Sequence, residues 1–98
     1  MNIETTKDGK IELRLSNNPD HFKRLALSVR KKFDGNWKER VDGLDESYWD
    51  LDVQGKVLTV HRQHYLGVSV FCADEPATRK LLELLANEVE TSLVILMP

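Results

Sequence analysis

The amino-acid sequence predicts an α+β fold, a two-layer sandwich in which two helices pack on one face of an antiparallel sheet of four or five strands. Several segments alternate apolar and polar residues, which is the period of a strand with one covered face. Two longer segments repeat apolar residues at helical spacing, so each predicted helix carries one apolar stripe. These three apolar surfaces bury one another in two layers. The predicted order is β-α-(β)-β-β-β-α in one domain, residues 1-98, since a chain of this length supports a single core.

The first predicted strand and helix are marked by local signals. Residues Lys10 to Leu15 alternate cleanly. Asn18 can accept from the free amides of a helix start, Pro19 suits the first helical position, and an acidic residue follows at the positive end of the helix dipole. The apolar stripe of this helix is Phe22, Leu25, Ala26, Val29 and Phe33. Gly35 is predicted to end the helix in the left-handed conformation.

The middle of the chain predicts three successive strands between Tyr48 and Cys72. Gln54-Gly55 supplies a tight hairpin turn between the first two, and a reversal between Gln63 and Gly67 leads into the third. The stretch from Trp37 to Val41 also alternates, so it permits a further short strand, but its assignment stays open.

The last predicted helix opens at Asp74-Glu75-Pro76, where acidic residues and proline again favour a helix start. Its apolar stripe is Leu81, Leu82, Leu85, Ala86, Val89 and Leu93.

Composition excludes several classes of function. The formal net charge is −2, so no overall basic field draws the chain to nucleic acid or anionic lipid. The longest unbroken apolar run is far short of the ~20 residues of a membrane helix, and no signal peptide is visible. A lone cysteine, Cys72, suits a reducing compartment. We therefore expect a cytoplasmic protein that is not an enzyme and uses no cofactor, since no phosphate-binding glycine motif or catalytic motif is present.

Charged residues are unevenly distributed along the chain, and a cluster of acidic residues forms the first candidate site. Asp50 and Asp52 are two apart on a predicted strand, so they share its open face with Tyr48. Clustered carboxylates steer a basic partner, and a neighbouring tyrosine can anchor it. The predicted protein-binding residues are Asp42, Asp45, Glu46, Tyr48, Asp50, Asp52 and His61. A solvated strand face explains the same pattern about as well.

The alternative site lies on the first helix, which is basic. Basic side chains on a helix can contact phosphates, and the predicted nucleic-acid-binding residues are Lys23, Arg24, Arg30 and Lys31. A solvated helix face gives the same pattern, and no second helix follows at helix-turn-helix spacing. Nucleic acid is therefore the less favoured partner.

The remaining residues with reactive or metal-binding side chains have simpler interpretations. His61 and His64, with His21 elsewhere, lack a third ligand at metal spacing and are expected to be ordinary exposed histidines. Cys72 falls in phase with the buried side of its strand, where a cysteine acts as a small apolar residue and not as a nucleophile.

The C-terminal apolar run leaves two interpretations open. It either continues the last helix or folds onto the sheet edge, or it associates with a second copy. The predicted homodimer contact consists of Leu93, Val94, Ile95 and Leu96.

One segment also carries a resemblance. At Trp49-Asp-Leu-Asp-Val-Gln-Gly-Lys-Val-Leu-Thr-Val-His, followed by His64-Tyr65 and the leucine-rich last helix, the chain resembles small bacterial domains of unknown function. It resembles, more loosely, immunity proteins of bacterial toxin systems. The likeness spans His21 to Val89 and rests on a fold pattern, so it assigns no functional residue. It implies a compact, cytosolic, acidic-faced α+β domain that is not an enzyme.

Overall fold

The computed structural model describes the backbone of residues 3–96 and the side chains of residues 3–88. The strands are β1 (Ile3–Thr5), β2 (Lys10–Ser16), β3 (Asn36–Asp42), β4 (Glu46–Val53), β5 (Lys56–Gln63) and β6 (Gly67–Ala73). The helices are α1 (Phe22–Phe33), which follows a 3-10 turn at Pro19–His21, and α2 (Pro76–Leu96). The α+β class predicted from the sequence is confirmed.

The strands form one antiparallel sheet in the order β1-β2-β6-β5-β4-β3. The predicted number of four or five strands is wrong, since residues 3–96 form a sheet of six. The open assignment at Trp37 to Val41 is resolved as strand β3. The strand that the sequence did not predict is β1, which has only three residues and becomes a strand through its pairing with β2.

The start of α1 follows the predicted signals, but its end does not. Asn18 accepts from the backbone N–H of Asp20 at 2.9 Å and so caps the 3-10 turn that leads into the helix. At the other end the left-handed residue is Asp34, with φ 51°, and not Gly35. Position 35 requires glycine for a different reason: it has no room for a side chain, because a Cβ there would lie 2.8 Å from Leu51 Cγ.

The β4–β5 hairpin turns as the sequence predicts. Gln54 and Gly55 both have positive φ, 52° and 83°, which is the geometry of a two-residue type I′ turn. This turn fixes the register of the two strands, so Tyr48 faces His61 and Asp50 faces Thr59.

The buried apolar side chains form one core between the sheet and the helices. Helix α1 contacts β4, β5 and β6, whereas α2 contacts β1, β2, β5 and β6. The core residues that the helices contribute are Phe22, Leu25, Ala26, Val29, Leu82, Leu85 and Ala86. The core residues that the strands contribute are Ile11, Leu13, Leu15, Trp49, Leu51, Val53, Leu58, Val60, Val68, Val70 and Cys72. Each strand turns alternate residues toward this core, so the opposite face of the sheet carries the others.

The edge strand β3 is interrupted by a β-bulge. Trp37 pairs with Leu51 and Glu39 pairs with Asp50, so Lys38 is an extra residue with no partner opposite it. Lys38, Glu39 and Arg40 are exposed. A bulge and charged side chains on an edge strand hinder pairing with another chain, so we expect β3 to resist strand addition.

The C-terminal half of α2 contains the predicted dimer contact. The helix backbone continues to Leu96, but the side chains of Leu93, Val94, Ile95 and Leu96 lie outside the described residues. Among the residues that the structure does describe, no helix has the length and apolar character needed to cross a membrane.

Candidate functional site

The face of the sheet opposite the helices, here called the open face, is the surface on which most of the predicted protein-binding residues meet. Strand pairing and side-chain alternation place on it Glu4, Lys10, Glu12, Arg14, Glu39, Val41, Glu46, Tyr48, Asp50, Asp52, Val57, Thr59, His61, Gln63, Ser69 and Phe71. Acidic side chains outnumber basic ones here, so the open face is more negative than the chain as a whole.

Three aromatic rings occupy the middle of the open face, one from each of β4, β5 and β6. Tyr48 stacks on His61 with ring centroids 4.3 Å apart and an interplanar angle of 13°. Phe71 meets both rings edge-on, with centroids 5.8 Å from His61 and 6.5 Å from Tyr48. We call these three residues the aromatic cluster.

His61 is not the exposed histidine that the sequence predicts. Only 8% of it is exposed, although its strand position points away from the core. Tyr48 stacks over the imidazole and Phe71 packs edge-on against it, so large side chains on the adjacent strands exclude water from an outward-facing residue. The expectation of an exposed histidine is wrong for this reason, whereas His64, in the turn after β5, is exposed.

The acidic residues of the open face surround the aromatic cluster and are here called the acidic rim: Glu4, Glu12, Glu39, Glu46, Asp50 and Asp52. Glu46 is the member of this rim that contacts the aromatic cluster. Its carboxylate accepts from Gln63 Nε2 at 3.1 Å and lies 3.2 Å from His61 Nε2. The hydrogen bonds from Gln63 and from His61 hold the pKa of Glu46 below its ordinary value. An ionised carboxylate only accepts, so the proton lies on His61 Nε2. Burial raises the pKa of Tyr48, and the charge of Glu46 and a hydrogen bond to that carboxylate add to the rise.

The strand carboxylates Asp50 and Asp52 each accept one hydrogen bond within the chain. Asp50 accepts from Thr59 Oγ1 across the β4–β5 pair at 2.8 Å. Asp52 accepts from the backbone N–H of Gly55 at 2.9 Å and so supports the hairpin turn. Both side chains are half-buried, which fixes the position of their charge on the open face.

Two of the predicted acidic residues lie elsewhere. Asp42 pairs with Ser47 on the helix-covered side of the sheet and accepts from Trp49 Nε1 at 2.8 Å. That hydrogen bond, with a second from Ser47, lowers the pKa of Asp42. Asp45 lies in the exposed turn between β3 and β4, where its carbonyl accepts from the backbone N–H of His64 at 2.8 Å. Asp42 therefore supports the core, whereas Asp45 lies at the end of the sheet.

The hydrogen bond between Asp45 and His64 joins two turns that both carry exposed apolar residues, which were not predicted from the sequence. Leu44 in the β3–β4 turn is 96% exposed, and Tyr65 and Leu66 in the β5–β6 turn are 87% and 51% exposed. We call these three residues the turn patch. The signal in the sequence is the presence of large apolar residues inside turn segments, where solvation favours small polar ones.

Ser16 and His21 form a contact that resembles a nucleophile and its base. Ser16 Oγ lies 2.8 Å from His21 Nδ1, but the same hydroxyl accepts from the backbone N–H of Asn18 at 3.0 Å. Asn18 also lies 3.4 Å from His21 Nε2, so the three side chains close the turn that begins α1. This arrangement stabilises the turn, and no acidic group among the described side chains hydrogen-bonds to the imidazole, as a catalytic triad requires.

Cys72 and the histidines give no site for covalent or metal chemistry in the described residues. Cys72 is buried, as predicted, and burial raises the pKa of its thiol, which keeps it in the unreactive protonated form. No group of three or more histidine, cysteine or acidic side chains among residues 3–88 is arranged to hold a metal ion.

The predicted nucleic-acid-binding residues lie together on α1. Lys23, Arg24, Arg30 and Lys31 are all exposed, on the side of the molecule away from the open face. The neighbouring Lys32 is engaged in an ion pair with Glu88 of α2. The basic and acidic candidate sites are thus on opposite layers of the fold.

The chain was compared with protein-family models, curated proteins and solved structures. No protein-family model, curated protein or solved structure matches this chain. The functional argument therefore rests on the geometry and chemistry of its own residues.

Proposed function

We propose that this chain is a small, non-enzymatic protein-binding domain that receives a basic partner protein on its open face, as an immunity or regulatory protein would. The observation that supports the proposal is the aromatic cluster, which sits at the centre of an uncovered sheet face with carboxylates on both sides. Interfaces draw most of their affinity from a few central aromatic or arginine residues, while charged residues at the rim govern encounter rate and specificity.

The preformed geometry of the site supports binding of a partner. Tyr48 and His61 are held by stacking and by hydrogen bonds to Glu46, so their positions are fixed before a partner arrives. Residues that are already ordered lose little conformational entropy on association. A partner with a complementary basic surface gains from this rigidity because only its own side chains must be ordered.

The role of the negative charge in binding is tested by reversing the charges of Asp50 and Asp52 together. We expect Asp50→Lys with Asp52→Lys to abolish capture of the partner from native lysate, because two attractive charges become repulsive ones at the rim. Capture is measured as the recovery of each discrete protein, quantified against the wild-type chain, at low and at high salt. Recovery equal to that of the wild type contradicts the proposal.

Two control variants test whether loss of capture comes from the charge on the open face. One controls for lost hydrogen bonds, and the other controls for the change in net charge. Asp50→Asn with Asp52→Asn keeps acceptors for Thr59 and Gly55, so it tests loss of charge with the hydrogen bonds retained. Glu83→Lys with Glu88→Lys makes the same change in net charge on α2, away from the open face. This control also removes the exposed ion pair with Lys32, which costs at most about 1 kcal/mol. It should leave capture unchanged.

The turn patch provides a second, independent prediction. Leu44→Ser with Tyr65→Ser should change the free energy of unfolding by less than about 0.5 kcal/mol, because both side chains are almost fully exposed. The same variant should reduce partner capture, since exposed apolar residues beside an acidic rim add contact area to an interface. Urea denaturation and quantified capture measure the two effects. A large loss of stability would show that the turns are held by these side chains.

The alternative function, association with nucleic acid through α1, has one favourable observation. The helix carries its exposed basic residues with no acidic residue between Phe22 and Phe33. Binding of this kind weakens steeply with salt because phosphate contacts release counterions. Replacing Lys23, Arg24, Arg30 and Lys31 with glutamine would then remove retention of nucleic acid and leave the protein partner bound.

A further inference from the structure

A cleft of about 290 Å³ crosses the open face between β4 and the β1–β2 turn. Phe71 and His61 form its floor, and Tyr48 borders it on the β4 side. Asp8, Lys10 and Glu12 border it on the side of β2. The cleft is too small for a helix or strand of a partner, but its volume accommodates a single long side chain.

The cleft already holds one cation that belongs to the chain itself. Lys10 Nζ lies 5.0 Å from the centroid of the Phe71 ring, which is within the range of a cation–π contact. The electron-rich face of Phe71 is therefore accessible to a positive group from solvent, because the Lys10 side chain is exposed and can move off the ring.

The carboxylates around the cleft carry more negative charge than Lys10 balances. Glu12 lies directly opposite Glu4 in the β1–β2 pair, and like charges in that position repel each other. Neither forms an ion pair with any residue whose side chain is described. Asp8 adds a further carboxylate, whose pKa is lowered by the hydrogen bond from Thr6. A second cation in the cleft would relieve this repulsion.

We propose that the cleft binds a single arginine side chain of the basic partner, with the guanidinium on the Phe71 ring and Glu12 as its counter-charge. The inference rests on the proposed function and names the group that the open face recognises. A guanidinium suits the site better than an ammonium, because it is planar, stacks on aromatic rings and offers paired donors to a carboxylate. On entry it displaces the Lys10 ammonium from Phe71, since two cations cannot share one ring without repulsion.

The test uses a small probe and needs no partner. The full-length chain is titrated by NMR with a blocked Gly-Arg-Gly tripeptide and, in parallel, with the same peptide carrying citrulline, which has the shape of arginine but no charge. The arginine peptide should shift the signals of Phe71, His61 and Glu12 and bind about tenfold more tightly than the citrulline peptide, because charge-assisted contacts are lost in citrulline. Equal binding of the two peptides, or no shift with either, overturns the proposal.

Three variants assign the contacts, each checked for native structure by circular dichroism. Lys10→Met removes the resident cation and should tighten arginine binding about threefold, the size of one exposed cation–π contact. Phe71→Leu and Glu12→Gln should each weaken it by about threefold or more on the same grounds. Weaker binding to Lys10→Met would contradict the displacement of Lys10 and overturn the assignment of the guanidinium to Phe71.

Failure of this inference is distinguishable from failure of the proposed function. Asp50 and Asp52 do not line the cleft, so their charge reversal tests the rim, whereas the tripeptide tests the cleft. Loss of capture on charge reversal, with no discrimination between arginine and citrulline, leaves the protein-binding proposal intact and refutes the arginine site.

Discussion

Replacing Trp49 with alanine should lower the free energy of unfolding by about 3–5 kcal/mol, the range for a large aromatic residue removed from a packed core. Trp49 is 9% exposed and contacts Phe22 and Trp37 edge-on, with ring centroids 4.8 Å and 5.3 Å away. Its indole N–H also donates to Asp42 at 2.8 Å. The alanine variant loses the ring contacts and leaves that carboxylate with the hydrogen bond from Ser47 alone.

Trp49→Phe is the matched control, because it keeps an apolar ring and removes only the N–H donor and part of the volume. We expect this variant to cost about 1–2 kcal/mol, toward the low end for a hydrogen bond to a charged group, because Asp42 is exposed and water replaces part of the lost contact. Urea denaturation followed by far-ultraviolet circular dichroism measures both variants without relying on tryptophan fluorescence. A loss below about 1 kcal/mol for Trp49→Ala would mean that Trp49 does not pack between the sheet and α1.

Replacing Gly67 with alanine should cost about 2–4 kcal/mol, because two unfavourable effects act at this position. Its φ is +104°, a conformation that side chains with a Cβ rarely adopt. A Cβ would also lie 2.1 Å from the carbonyl oxygen of Ser16 and 2.7 Å from the backbone of Asn17. The end of β2 and the start of β6 must separate to admit the methyl group.

Gly55→Ala separates these two effects. Gly55 also has a positive φ, +83°, but a Cβ there meets nothing within 4 Å. The backbone penalty alone should therefore cost about 1–2 kcal/mol in this variant. The difference between the two alanine variants measures the close approach of β2 to β6, and equal losses would contradict it.

Much of the fold could be predicted because its signals are local. The alternation in β2 and the polar residues around Pro19 determine strand and helix through contacts within a few residues. Strand β1 could not be predicted in the same way. It has three residues, of which only Ile3 packs against the core, so it depends on pairing with β2 residues that lie six to ten positions away in the chain.

The end of α1 shows how a long-range contact overrides a local preference. Asp34-Gly35 signals a helix end, and glycine is the ordinary left-handed residue. Gly35 is instead placed where β4 passes against it, so Leu51 and Asp52 leave no room for a side chain. Asp34 therefore takes the left-handed conformation, which aspartate tolerates better than most residues.

The candidate site likewise has a part that local sequence signals predict and a part that depends on long-range contacts. The sequence places Tyr48, Asp50 and Asp52 on one face, because alternation within a single strand is enough for that. Glu46 joins them because β4 begins at Glu46, before the predicted strand. It does not reveal the burial of His61, which depends on rings from two neighbouring strands. The turn patch and the cleft arise from residues far apart in the chain, which only the strand order brings together.

The extra residue in β3 shifts the alternation of inward-facing and outward-facing side chains by one position along the strand. Trp37 and Arg40 are three positions apart, which in an uninterrupted strand would put them on opposite faces. Because Lys38 is skipped in the pairing, both lie on the core side and flank Trp49, with Trp37 5.3 Å from it and the Arg40 guanidinium also 5.3 Å from its ring. Deleting Lys38 would therefore remove the bulge and leave Trp37, Glu39 and Arg40 in regular alternation, with Trp37 and Arg40 still on the core side.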